Sequence, residues 1–152
     1  MIYLLLMFLA WKPYFGPSLK KIEKKDSVQM LEKVLTKSSH AYLREHAAIK
    51  ARSYSKKQAA SLIPELNKCM QNKEERSYVR VQCTLTLAKY GQDVTTEVKM
   101  MLTEFEGEDR YWLAMSLYHL KDRIKFANSE LVSLQQDVDP LISSAARIWV
   151  SQ

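Results

Sequence analysis

The stretch Ser77 to Gly91, SYVRVQCTLTLAKYG, constrains this chain most, because the chain repeats it. Val79, Cys83, Leu87 and Tyr90 fall three or four apart and share one helix face. Gly91 stands where a helix takes a left-handed stop. Upstream, Ala41 to Tyr54 reads AYLREHAAIKARSY. Laid over the first stretch, Tyr42 matches Tyr78, Leu43 matches Val79, Arg44 matches Arg80 and Tyr54 matches Tyr90. The pair Ala47 and Ala48 falls on Cys83 and Thr84, and Ala51 on Leu87. Arg110, followed by Leu113, Ala114, Leu117 and Leu120, is a third copy at the same offsets. A fourth puts Ile142 at the arginine position, then Ala145, Ala146 and Trp149. The anchors 44, 80, 110 and 142 are 36, 30 and 32 residues apart, a spacing that marks a stacked-repeat protein. The small residues after each anchor let a helix approach its neighbours at the short end of the usual range of about 8–10 Å.

This pattern resembles the second helix of HEAT and HEAT-like (armadillo-type) repeats. In that family each repeat is a helix pair, and the second helix opens on an apolar residue and an arginine, then carries a small pair and a leucine. The resemblance covers about Asp26 to Val150. Arg44 and Arg80 fit it well. The third copy has Asp109 where the apolar residue belongs, and the fourth has Ile142 in place of arginine. The resemblance implies an all-α fold, an α-α superhelix built as a short solenoid of about four hairpins. It also implies an acidic partner for the arginine in the turn between the two helices. Glu74, Glu75 and Glu108 are candidates, whereas the first repeat offers only Lys37, Ser38, Ser39 and His40.

Local signals place the hairpins. Asp26 or Ser27 caps a first helix whose buried stripe is Val28, Leu31, Val34 and Leu35; its partner is Ala41 to Tyr54. The second pair opens near Lys57 to Ser61 and runs through Leu62, Ile63, Leu66 and Met70. Pro64 there requires a kink or a helix that starts just before it. Its partner is Ser77 to Tyr90. The third pair is Thr95 to Phe105 and Asp109 to Leu120. The fourth is a helix capped by Asn128 or Ser129 and ending at Leu134, then Pro140 to Val150, with Pro140 in the first turn. Three glycines and four prolines among 152 residues leave little turn material for sheets. The chain divides at residue 25: an apolar segment and a basic Pro/Gly linker over 1–25, and the repeat domain over 26–152.

MIYLLLMFLAW, Met1 to Trp11, is apolar throughout. As a helix it reaches ~16 Å, about half of a bilayer core. It lacks the basic start and small-residue cleavage site of a secretory signal. Three readings stay open: an interfacial anchor with membrane contact, a poorly formed signal-anchor, or a segment docked on the protein itself. Pro13, Gly16 and Pro17 then stop any helix from running on. Charge is uneven: Lys12 to Lys57 carries 12 basic against 4 acidic residues, and Gln58 to Gln152 carries 11 against 13. The basic half could meet phosphates or acidic headgroups, or simply be solvated. Cys69 and Cys83 have no metal-type spacing and read as core residues of a protein in a reducing, cytoplasmic setting; membrane association through Met1–Trp11 is the alternative.

No enzyme constellation stands out: there is no phosphate loop, nucleophile elbow or zinc-protease motif. His40, His46 and His119 lack ligand spacing, and the run Glu104, Glu106, Glu108, Asp109 reads as a solvated turn. No cofactor and no metal site is expected. The outer face of the second helices is more informative. If offsets 3, 4 and 7 from each anchor point inward, offsets 1, 2, 5 and 8 point away. They give Glu45, His46, Ile49 and Arg52; Val81, Gln82, Leu85 and Ala88; Tyr111, Trp112, Met115 and Tyr118; and Ser143, Ser144, Arg147 and Val150. The resemblance implies that this row lines the concave side. Val81, Leu85, Tyr111, Trp112, Met115 and Tyr118 are therefore the expected partner-binding patch, unless the chain's own Met1–Trp11 segment covers them.

The first functional reading is a non-enzymatic protein-interaction scaffold. The alternative is a nucleic-acid-binding protein similar to the HEAT-like DNA glycosylases, using the basic N-terminal half. A third class, accessory enzymes of the tetrapyrrole-lyase type, also resembles HEAT-like repeats, but no residue here singles it out.

Overall fold

The computed structural model describes residues 27–121 and 127–151. The Met1–Trp11 segment, the linker after it and Asp26 lie outside them, as does the side chain of His119. Among the described residues the regular structure is helical: α1 Val28–Lys37, α2 Ala41–Ala51, α3 Ile63–Gln71, α4 Ser77–Lys89, α5 Thr95–Glu104, α6 Gly107–Leu120, α7 Ala127–Leu134 and α8 Pro140–Ser151. A single 3₁₀ turn, Ala60–Leu62, leads into α3.

The helix ends follow their local chemistry. Ser27 caps α1 by accepting a hydrogen bond from the Met30 backbone N–H at 3.2 Å. Pro64 sits in the first turn of α3, where its missing N–H costs nothing, so the helix starts just before it rather than kinking within it. Gly91 takes φ +73° beyond α4, and the Gln92 N–H returns to the Leu87 carbonyl, closing the helix end. Three boundaries differ from expectation. α2 stops at Ala51, with Arg52 as its C-cap, so Tyr54 lies beyond it. α6 begins at Gly107, two residues before Asp109. Asn128 and Ser129 lie inside α7 rather than capping it.

Consecutive helices pack in pairs: α1 with α2, α3 with α4, α5 with α6, and α7 with α8. The second helices also pack in chain order, α2 on α4, α4 on α6 and α6 on α8. The small pairs make that approach work. Ala47, Ala48, Cys83, Thr84, Leu113, Ala114 and Ala146 are buried, and the Thr86 hydroxyl donates across the α2–α4 seam to the Ala48 carbonyl at 2.7 Å. The Tyr90 hydroxyl does the same to Ala51. One continuous cluster of buried apolar residues runs from Leu31 to Ala146.

Two findings were beyond the sequence pattern. First, each anchor arginine reaches forward to a carboxylate near the next hairpin's turn. Arg44 grips Glu75 through Nε and Nη2, both at 2.6 Å, and donates Nη1 to the Ser38 carbonyl. Arg80 reaches Glu104 at 3.2 Å and the Met70 carbonyl, and lies over the Phe105 ring. Arg110 reaches Asp137, whose side chain is 1 % exposed, at 2.5 Å. The expected pairing within one repeat does not occur: Glu75, in the turn of Arg80's own hairpin, serves Arg44 of the hairpin before it, Glu108 accepts from the Trp112 indole, and Glu104 and Asp137 take the other two places. Second, Cys69 and Cys83 are joined by a disulfide across α3 and α4, with Cα atoms 6.3 Å apart. They lie in the core region as expected, but as a bonded pair. That removes the reason for assigning a reducing compartment.

Candidate functional site

The candidate site is the outer row of the second helices. On α6, positions 111, 115 and 118 fall on one face, with Trp112 beside it. Tyr111, Trp112, Met115 and Tyr118 are all half-buried. Tyr111 meets Trp112 edge-on at 6.0 Å between centroids. Trp149 of α8 joins them: it stacks on Tyr118 at 5.5 Å and 18°, and lies 5.9 Å from Tyr111. The Lys121 ammonium sits 4.9 Å from the Tyr118 ring centre and donates to the Trp149 carbonyl. The result is an aromatic cluster across the α6–α8 seam, with apolar faces and polar tips. Trp149 packs against the core, as its inward offset of seven from Ile142 implies; its membership of this cluster is the part the spacing does not show.

Val81 and Leu85 stand elsewhere. They are 4 % and 3 % exposed, so the row is closed at α4. That helix packs against α2, α3 and α6 at once, and residues 79–81 and 83–87 of it are all buried. A helix buried around most of its circumference is a central helix, which a one-face pattern does not reveal. The site therefore brings Tyr111, Trp112, Met115 and Tyr118 together, and does not offer Val81 and Leu85 to solvent.

At the α2 end the row turns polar. Glu45 is half-buried, and burial holds its carboxyl above the ordinary value despite the charge of Arg52. Burial in turn lowers the Arg52 guanidinium, against the pull of Glu45. Arg52 donates Nη2 to the Gln82 amide oxygen of α4, and Lys89 donates to the Arg52 carbonyl.

Other features carry less. The acidic run is dispersed: Glu104 binds Lys73 and Arg80, Glu108 binds Trp112, and Glu106 and Asp109 are exposed. His40 is exposed and packs its ring on Tyr42. An open cleft between α5, α7 and the following turn is lined by Lys99, Leu102, Arg110, Glu130 and Asp137. Its charges are already matched as the Lys99–Glu130 and Arg110–Asp137 pairs. No described helix is long and apolar enough to cross a membrane.

These features define an all-α protein with an aromatic patch on its second helices. Against protein-family models, curated proteins and solved structures, the chain finds no match.

Proposed function

We propose that the four hairpins form a short HEAT-like solenoid acting as a non-enzymatic interaction scaffold, which holds a protein partner along its second-helix row. The serial order of helix contacts and the three forward-reaching arginines support the stacked arrangement. The observation that carries the function is the half-buried cluster of Tyr111, Trp112, Tyr118 and Trp149 beside Met115. Rigid aromatics on a formed surface are what hot spots use, because they bury much area for little lost side-chain freedom.

The nucleic-acid alternative has less in its favour. Arg44, Arg80 and Arg110 each hold a carboxylate and are not spare for phosphates. A nucleic-acid complex would also weaken steeply with salt.

The test is site-specific photocrosslinking of the full chain in its own cells. A benzophenone side chain at Met115 should give a discrete adduct that Tyr111→Ala abolishes. The same group at Met100, 43 % exposed on α5, should not give it. Identical adducts at both positions, or none at Met115, would overturn the reading.

A further inference from the structure

The three anchor arginines meet carboxylates, but Arg52 does not. It caps the C-terminus of α2 and is partly buried. Among the described residues its only hydrogen-bond acceptor is the neutral Gln82 amide, and its Nε is buried with no acceptor at all. No carboxylate forms an ion pair with it there; Glu45, two turns back on the same helix, acts on it only through space. A half-buried guanidinium with one amide contact and one carboxylate at longer range is left with unused donors. Its surroundings add positive charge. Lys89, exposed at the end of α4, is tethered to the Arg52 carbonyl, and Lys56 and Lys57 are exposed in the loop that follows. With Nη2 on Gln82 and Nε buried, Nη1 is the donor left for an incoming group, and in this setting a carboxylate suits it better than any neutral acceptor.

We propose that Arg52, backed by Lys89, anchors a carboxylate of an acidic partner segment whose apolar side chains rest on Tyr111, Met115 and Tyr118. The inference rests on the scaffold reading above and adds the chemistry of the partner. Arg52 and Gln82 join α2 to α4, and α4 packs on α6, so the two ends of the row are two helix spacings apart. At about 8–10 Å per spacing that is about 20 Å. An extended chain covers it in about six residues at ~3.3 Å each. The partner should therefore carry Asp or Glu about six positions from an aromatic or aliphatic pair. Charge complementarity runs the same way, because the half of the chain holding Arg52 is the basic half.

The test uses two fluorescein-labelled peptides on a Gly/Ser background. One carries Glu-Glu six residues from Trp-Leu; its twin carries Gln-Gln in the same place. Fluorescence anisotropy with the full chain should show the Glu peptide binding at least tenfold tighter at low salt, with the gap narrowing as salt rises. Arg52→Gln should remove the gap, and Lys89→Gln should shrink it. Arg52→Lys keeps the charge without the guanidinium, so it should recover part of the gap and control for misfolding, with circular dichroism alongside. No gap, a gap that survives Arg52→Gln, or no binding of either peptide overturns the inference. Binding that appears only after deletion of residues 1–11 also overturns it, because the surface would then be held by the chain's own segment. If Tyr111→Ala abolishes binding of both peptides while Arg52→Gln changes nothing, the acidic anchor fails and the scaffold reading stands.

Discussion

Reducing the Cys69–Cys83 bond should destabilise the protein more than any single surface change. The two sulfurs close a loop with a sequence separation of 14 between α3 and α4. On the chain-entropy account, a cross-link over a loop of that size limits the unfolded ensemble by about 3 kcal/mol. For a domain of this length each kcal/mol shifts the melting temperature by about 4 °C, so reduction should lower it by roughly 10 °C. Chemical reduction is the cleanest perturbation. It leaves both side chains in place, Cys83 fully buried and Cys69 packed against the core, so no cavity or new polar group confuses the reading. The assay is thermal unfolding by circular dichroism with and without a phosphine reductant, paired with mass spectrometry after alkylation under denaturing conditions. Oxidised protein should take up no alkyl group and reduced protein two. If unreduced protein takes up two and the melting temperature ignores the reductant, the sulfurs are merely packed side by side, and the hairpin relies on its apolar contacts alone.

Arg110→Ala leaves the Asp137 carboxylate buried without its guanidinium and should cost about 3 kcal/mol in urea unfolding, the low end for a buried pair because Arg110 is 25 % exposed. The double variant with Asp137→Ala should recover part of that loss, since the orphaned charge goes with it. Burial pushes Glu75 up, but the Arg44 hydrogen bonds and charge, with the Arg76 N–H, outweigh it and hold its carboxyl below the ordinary value. A depressed carboxylate contributes stability fully above its unfolded value, and that stability is lost as pH falls through the folded one. Arg44→Ala should therefore flatten the acid limb of the stability–pH profile. Glu45 is shifted the opposite way by burial, so its charge opposes folding near neutrality and the penalty lifts as pH falls through its raised value. Glu45→Gln should raise the melting temperature at pH 7 and do nothing once the carboxyl is protonated in both states.

Much of the architecture was legible in the chain because it is written locally. Helix periodicity, Ser27, Pro64 and Gly91 act within a turn or two of themselves, so the hairpins could be placed in order from residues alone. The small residues at 47–48, 83–84 and 114 announced close packing for the same reason. The face of α6 bearing Tyr111, Met115 and Tyr118, with Trp112 beside it, also follows from spacing.

The rest depends on which surfaces meet, and no residue carries that by itself. Val81 and Leu85 looked outward by offset, yet α4 has neighbours on three sides and closes over them. Trp149 packs against the core as its offset implies, but only the seating of α8 on α6 stacks it on Tyr118. Cys69 and Cys83 stand on different helices, and only the packing of α3 against α4 brings their sulfurs into bonding range. Each arginine's carboxylate likewise lies 24–31 residues away, a pairing set by how one hairpin seats on the next. Periodicity determines which residues share a face; the tertiary structure decides which faces are shared.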